Sequence, residues 1–77
     1  MDPKAIEQRI LQALPAARVS VISDDQVHYT ARIVSEDFDG LSRIQRHRRV
    51  HSAIGEELGR EIHALSLELK TPAEAED

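Results

Sequence analysis

The feature that most constrains this chain is a pair of alternating apolar stretches separated by one helical stretch. In residues 27–35, Tyr29, Ala31 and Ile33 alternate with polar residues, which is typical of a strand buried on one face. Residues 62–70 repeat that alternation. A strand–helix–strand order predicts two parallel strands joined by a right-handed crossover, so the chain is limited to folds that contain such a unit.

The intervening stretch predicts a helix from about residue 42 to residue 58, because its apolar residues recur at helical spacing. Gly59 is placed to end the helix as a C′ glycine. Gly55 lies inside the helix and weakens it by about 1 kcal/mol relative to alanine. The predicted apolar stripe consists of Leu41, Ile44, His51, Ile54 and Leu58, with Val50 beside it.

The residues before these elements predict a first helix and a hairpin. Asp2 is a suitable N-cap, Pro3 fits the first helical position, and Pro15 ends the helix. A short β-branched stretch at 18–22 and turn residues at 23–26 then lead into the first alternating stretch. The first helix carries an apolar stripe of Ile6, Ile10, Leu11 and Leu14.

These elements together predict a two-layer α/β (α+β) sandwich with the order α-β-β-α-β. The hairpin makes the first two strands antiparallel, the crossover makes the last two parallel, and both helices cover one face of the mixed sheet. Phe38, in the acidic loop 36–40, is expected to lie under the sheet edge. We expect one domain over residues 1–72 and an acidic tail over residues 73–77 that frays.

The composition restricts the function. The 77 residues contain no cysteine, which excludes disulfides, thiol nucleophiles and a self-contained all-thiolate cluster. A metal would therefore be held by imidazole, carboxylate or a partner's thiol. The net charge of −4 and the small number of aromatic residues oppose general nucleic-acid affinity.

Two further classes are disfavoured by what the sequence lacks. No apolar run approaches the length of a membrane span, which favours a soluble cytoplasmic protein. The chain has no glycine-rich phosphate loop and no serine, histidine and aspartate arrangement with activating neighbours. We therefore do not expect an enzyme.

Two histidines open the two alternating stretches: His28 and His63. Parallel neighbouring strands begin at the same end of a sheet, about 4.8 Å apart, so the two imidazoles are able to converge on one metal ion or partner. His63 shares the face of the leucines, whereas His28 is out of phase with Tyr29, so the pairing is permitted rather than required. The alternative is a structural role for each histidine.

A second pair of histidines, His47 and His51, is spaced to share one face of the predicted helix. A zincin motif requires glutamate at the position where this chain has Arg48, which argues against metalloprotease chemistry. We expect His51 to be partly buried in the apolar stripe. For His47 we expect a position that faces solvent or is directed at a phosphate.

The same helix is rich in arginine, with Arg43, Arg46, Arg48 and Arg49 close together. Guanidinium groups at this density fit phosphates, the carboxylates of a partner protein or the carboxylates of a small peptide such as glutathione. The alternative is a solvated face whose charge is balanced by Glu56, Glu57 and the acidic loop.

Five motifs follow one another along the second half of the chain: F-D-G-L-S-R at 38–43, R-H-R-R-V at 46–50, E-E-L at 56–58, I-H-A-L-S at 62–66 and T-P at 71–72. Their combined spacing resembles the BolA family. The resemblance extends from about Val19 to Glu74 and implies a core similar to the class II KH fold. Ala75 stands where the family commonly has tryptophan, and the last helix of the family is missing from the pattern.

The resemblance implies a partnership with a monothiol glutaredoxin around a shared [2Fe–2S] cluster. The partner supplies its cysteine, bound glutathione supplies a second thiolate, and the BolA-like chain supplies the histidine that matches His63. A variable histidine or cysteine near the hairpin supplies the second ligand, a position that His28 fills here. Two imidazoles on one iron have a parallel in Rieske centres. We expect Arg46, His47 and Arg48 to help form the interaction surface.

Two alternative functions stay open. The family is also linked to DNA binding and transcriptional regulation, which the arginine-rich helix favours. The negative net charge and the missing G-x-x-G loop, with which KH domains clamp a nucleic-acid backbone, oppose that function. The third possibility is a protein-interaction module that binds its partner independently of metal.

Overall fold

The computed structural model describes residues 2–61 and 64–76, and of residues 57–61 the backbone only. The elements follow the predicted α-β-β-α-β order, with two short helical turns in addition. They are α1 (Pro3–Ala13), β1 (Arg18–Ile22), β2 (His28–Val34), a 3₁₀ turn (Glu36–Phe38), α2 (Arg43–Glu61), β3 (Ala64–Lys70) and α3 (Pro72–Ala75).

The three strands form one sheet in the order β1-β2-β3. β1 runs antiparallel to β2, with Val21 opposite Ala31, and β2 runs parallel to β3, with Tyr29 opposite Leu65. This mixed sheet confirms the hairpin and the crossover that the sequence predicts. Because side chains alternate between the faces of a strand, Tyr29, Ala31 and Ile33 all enter the same buried face.

The helices α1 and α2 contribute to a single core on one face of the sheet, which gives the predicted two-layer sandwich. The Oδ1 of Asp2 accepts a hydrogen bond of 3.0 Å from the backbone N–H of Lys4 and caps α1 at its N-terminus. Each large apolar side chain that the core buries contributes about 1.5–3 kcal/mol. The core contains Ile6, Ile10, Leu14, Val21, Tyr29, Ala31, Ile33, Phe38, Val50 and Ile54.

On each edge strand of the sheet, one backbone group forms a hydrogen bond with a side chain of a helix. On β1, the backbone N–H of Val21 donates to Oε1 of Glu7 at 2.9 Å. On β3, the carbonyl of Leu69 accepts from Nη1 of Arg46 at 3.2 Å. Unpaired edge groups are a template for aggregation, and these two bonds remove one such group from each edge strand.

The phase of α2 differs from the predicted stripe. Val50 and Ile54 are buried, whereas Ile44 is 64% exposed and His51 is exposed. The prediction is right for Ile54 and wrong for Ile44 and His51, because the buried side of the helix follows Val50 and Ile54, whereas the predicted stripe has Val50 only beside it. At 3.6 residues per turn, positions 44 and 51 lie roughly 100–120° around the helix from position 50.

Gly55 divides α2 instead of merely weakening it. Its φ of 81° and ψ of 165° are not helical, and they fall in a region that is essentially restricted to glycine. A Cβ at this position would lie 3.4 Å from Nη2 of Arg9, whose Nε donates to the carbonyl of Ile54 at 3.2 Å. The backbone of α2 then continues to Glu61, beyond the predicted end at Gly59.

The segment before α2 and the segment after β3 each form a short helical turn. Phe38 ends the 3₁₀ turn and is fully buried, as predicted. Thr71 is buried and caps α3, whereas the sequence predicts a tail that frays from residue 73 and no terminal helix. The difference arises from a capping box in which the Thr71 and Glu74 side chains bond each other's backbone N–H.

No helix in the described part of the chain is long and apolar enough to cross a bilayer.

Candidate metal-ligating hairpin and basic helix

His28 is the first residue of β2 and lies on the face of the sheet opposite the core. Its neighbour Tyr29 is buried, and the alternation of the strand therefore directs His28 outward. The His28 side chain is 72% exposed. An external metal centre or partner can reach this ring without any rearrangement of the core.

The ring of His28 is held by Asp25. The Nδ1 of His28 lies 2.8 Å from Oδ2 of Asp25, and no described residue bonds its Nε2. The Oδ1 of the same carboxylate accepts the backbone N–H of Val27 and that of His28, both at 2.9 Å. Hydrogen bonds from the backbone N–H and ring of His28, and then from Val27, hold the pKa of Asp25 well below its usual range.

The turn that carries Asp25 is itself constrained. Gln26 has a φ of 58°, an uncommon value for a residue other than glycine, and its N–H donates to Oγ of Ser23 at 2.9 Å. The hydroxyl of Tyr29 donates to the carbonyl of Gln26 at 2.9 Å. This bond ties the turn to a buried core residue and sets the position from which Asp25 reaches His28.

The sheet register places the start of β3 beside His28. His28 is opposite Ala64, the residue that follows His63 in the chain. His63 lies outside the described residues, so its convergence with His28 stays a prediction. Within the described residues, no three histidine, aspartate or glutamate side chains cluster as metal ligands. A metal at His28 would therefore need ligands in addition to those that the described residues bring together.

Arg46, which the sequence predicts to help form an interaction surface, makes several contacts inside the domain. Its side chain is only 13% exposed, and its guanidinium lies 6.0 Å from the ring centroid of Phe38. Nε donates to the carbonyl of Leu41 at 3.0 Å, and Nη1 donates to the carbonyl of Leu69 at 3.2 Å and to Oε1 of Glu74 at 2.7 Å. These contacts join the start of α2 to the end of β3 and to α3.

Glu74 is the acidic partner in this arrangement. The side-chain hydrogen bond from Arg46, followed by the backbone hydrogen bond from Thr71, lowers the pKa of Glu74 to about 2. Its Oε1 accepts the backbone N–H of Thr71 at 2.7 Å. One carboxylate therefore closes the capping box and binds the guanidinium.

Four other basic residues of α2, Arg43, His47, Arg48 and Arg49, face solvent on two sides of the helix. Arg43 and His47 line a groove of about 290 Å³ between α2 and β3. Arg48 and Arg49 line a shallow groove of about 600 Å³ that also touches Ala13 at the end of α1. All four of these residues are exposed, which agrees with the solvent-facing alternative predicted for His47.

Sequence reasoning missed two functional or structural partners. It assigned Asp25 to the turn alone, although an acidic residue three positions before a histidine at a strand start is a usable signal. It placed Arg46 at the surface, and here no local signal was available, because Glu74 is 28 residues away. His51, predicted to be partly buried, is exposed because of the phase of α2.

The fold and the hairpin define a small α+β domain that presents an oriented imidazole on the outer face of its sheet. The chain belongs to the BolA family, since the model of that family, described as BolA-like protein, matches residues 8–74. This confirms the resemblance that the motifs indicate.

Known relatives and solved structures agree with this assignment. BolA-like protein 1 from Homo sapiens is 49% identical over 49 residues, which cover 64% of this chain and 36% of that protein. The DNA-binding transcriptional regulator BolA from Haemophilus influenzae is 35% identical over 78 residues, which cover 90% of this chain and 76% of that protein. The structure of a BolA protein homologue from Coxiella burnetii has a TM-score of 0.85 and 36% identity, and the match covers 100% of this chain and 99% of that chain.

The curated mammalian relatives are longer than this chain. It spans less than half of the length of the human, mouse and bovine proteins named BolA-like protein 1. The comparison therefore assigns the domain to the family. The activity and partners of the longer proteins are not transferred to this chain.

Proposed function

We propose that this chain is a non-enzymatic partner of a monothiol glutaredoxin and co-ligates a [2Fe–2S] cluster that the two proteins share. Its role would lie in iron–sulfur trafficking or iron regulation. The observation that carries the proposal is the exposed His28 ring, whose Nδ1 is bonded to Asp25 and whose Nε2 has no partner among the described residues. A histidine with its second nitrogen bonded to a carboxylate is a common arrangement among metal ligands.

The donor set fits an iron site that is completed by two proteins. The chain has no cysteine, so the thiolates would come from the glutaredoxin and from glutathione, while His63 and His28 would supply imidazole. Imidazole replaces thiolate on one iron of Rieske clusters. The register supports this set, because it pairs His28 with Ala64, the residue that follows His63 in the chain.

Reconstitution with the proposed partner tests this function. The apo chain is mixed with a monothiol glutaredoxin, glutathione, iron and sulfide, and the visible absorption and circular dichroism spectra are compared with those of the glutaredoxin homodimer. We expect a new spectrum for the mixture and its loss or alteration with His63→Ala and with His28→Ala. A spectrum identical to that of the homodimer would remove the proposal, and His51→Ala, which changes an exposed histidine on α2, is the matched control.

A DNA-binding function is the second candidate. It is supported by the exposed residues Arg43, Arg48 and Arg49 and by the name of the relative from Haemophilus influenzae. Against it, the net charge is −4, and Glu56 is exposed directly after the break at Gly55. Duplex affinity measured at about 50 mM salt and above decides the matter, because phosphate contacts are strongest at low salt. Absence of binding at the lowest salt concentration would eliminate this candidate.

A metal-independent interaction module is the third candidate, and the histidines would then be structural. A pull-down with the glutaredoxin in the presence and absence of an iron chelator separates it from the proposed function. Binding that is unchanged by the chelator would favour the module.

The cytoplasmic location predicted from the sequence is retained as part of the proposal.

A further inference from the structure

We infer that Asp25 is a positioning residue that fixes the tautomer and orientation of His28, so that Nε2 is the nitrogen offered to a metal. Asp25 itself would not touch the metal. The inference rests on the proposed function for the identity of the metal centre, and it concerns a residue that neither the family resemblance nor the similar proteins single out.

The backbone of the turn holds the carboxylate of Asp25 in a fixed orientation. One oxygen of Asp25, Oδ1, accepts two backbone N–H groups, those of Val27 and His28, at 2.9 Å each. The rotation of the carboxylate is therefore set by the backbone of the turn. The turn is held in its own conformation by the bond from Gln26 N–H to Ser23 Oγ.

The two carboxylate oxygens of Asp25 have different hydrogen-bond partners. With Oδ1 engaged by the backbone, Oδ2 is left to bind Nδ1 of His28 at 2.8 Å. A carboxylate in its ionised form only accepts hydrogen bonds, so Nδ1 must carry the proton. In a neutral imidazole, the lone pair then lies on Nε2, which is the form that binds a metal through that atom.

The contact of Asp25 with His28 is separate from its role in forming the turn. The turn needs only Oδ1, because Oδ1 alone bonds the two backbone N–H groups. The Oδ2 atom bonds only the imidazole among the described residues. If Asp25 served the turn alone, the identity of the atom at the Oδ2 position would have no effect on His28.

The substitution Asp25→Asn exploits this difference. An asparagine keeps the Oδ1 acceptor for the turn, but its amide NH₂ takes the place of Oδ2 and donates instead of accepting. His28 would then have to accept at Nδ1 and carry its proton on Nε2. Asp24→Asn is the matched control, because it removes the same charge from an exposed neighbouring residue.

The first measurement uses the isolated chain without any metal. Long-range proton–nitrogen correlation spectra of the neutral imidazole assign the protonated nitrogen of His28. We expect Nδ1 to be protonated in the parent chain and in Asp24→Asn, and Nε2 to be protonated in Asp25→Asn. A parent chain with the proton on Nε2, or with both tautomers equally populated, would overturn the inference without any variant being needed.

The second measurement uses the chain reconstituted with a monothiol glutaredoxin, glutathione, iron and sulfide. We expect Asp25→Asn to release its cluster to a chelator roughly 10-fold faster than the parent chain, an effect typical of outer ligand partners. Asp24→Asn should match the parent. If His28→Ala accelerates release while Asp25→Asn does not, Asp25 has no positioning role, and the proposed function is retained. If His28→Ala itself matches the parent, the second ligand of the proposed function is wrong, and with it the metal-directed part of this inference.

Discussion

The guanidinium of Arg46 and the carboxylate of Glu74 are bonded through Nη1 and Oε1 at 2.7 Å, with Nη2 and Oε2 at 3.5 Å. The pair joins the first turns of α2 to the segment that follows β3. Arg46 is mostly buried, whereas Glu74 is half exposed. The Arg46–Glu74 pair is a structural clamp between an arginine that the sequence predicts at an interaction surface and a tail that it predicts to fray.

Truncation of the clamp should destabilise the domain. We expect Arg46→Ala to lower the free energy of unfolding by about 2–3 kcal/mol, because the carbonyls of Leu41 and Leu69 lose charged hydrogen bonds in a partly buried setting. Urea denaturation followed by circular dichroism measures this change. Arg49→Ala, which removes an exposed arginine of the same helix, should change stability by no more than about 0.5 kcal/mol. Equal effects of the two substitutions would contradict the clamp.

The acidic side of the clamp should give the stability a pH dependence. The pKa of Glu74 is lowered from 4.5 to about 2 in the folded chain. Its contribution is therefore fully present above the unfolded value and is lost as the pH falls through the folded value. We expect the denaturation midpoints of the parent and of Glu74→Gln to differ at neutral pH and to converge as the pH falls from 4.5 to about 2. A difference that is constant over this range would argue against an ionised, bonded Glu74.

Phe38 should be a principal anchor of the core. It is the largest fully buried side chain and lies at the end of the short turn before α2. We expect Phe38→Ala to cost about 3–5 kcal/mol through lost burial and an internal cavity. Ile44→Ala is the control, because Ile44 is 64% exposed and its loss should cost no more than about 0.5 kcal/mol. Calorimetric unfolding of both variants would refute the placement of Phe38 if their midpoints were the same.

The break in α2 should require glycine. At a φ of 81° and ψ of 165°, we expect Gly55→Ala to destabilise the domain by about 1–3 kcal/mol, since side chains are strained in this backbone region. Thermal unfolding and helical circular dichroism measure the effect. Because alanine favours a continuous helix, a gain of both helicity and stability would mean that α2 straightens and that the break is not a fixed part of the fold.

Much of the architecture follows from local patterns in the sequence. The alternation of Tyr29, Ala31 and Ile33 determines which face of β2 is buried, because the period of a strand is two residues. Asp2 and Pro3 mark the start of α1 for equally local reasons. The strand–helix–strand order then leaves one sensible hand and direction for β3.

The phase of α2 shows where local patterns stop being sufficient. The spacing of apolar residues in the sequence allows either Val50 or His51 to belong to the buried stripe of the helix. Only the position of the helix on the sheet decides that Val50 is buried. The predicted stripe includes Ile44 and His51, and both are exposed in the structure. Neighbouring positions on a helix lie about 100° apart, which is enough to separate a buried residue from an exposed one.

The candidate site also combines features that follow from the local sequence with features that depend on the tertiary structure. The sequence by itself determined the order of the elements, the faces of the strands and the placement of His28 at a strand start, because these depend on residues that are close along the chain. Only the tertiary structure decided that Arg46 is bonded internally by Glu74 and Leu69, whereas Arg43, His47, Arg48 and Arg49 stay exposed. The physical reason is that Leu69 and Glu74, two of the acceptors that hold this guanidinium, lie far from Arg46 in sequence and are brought to it only by the fold.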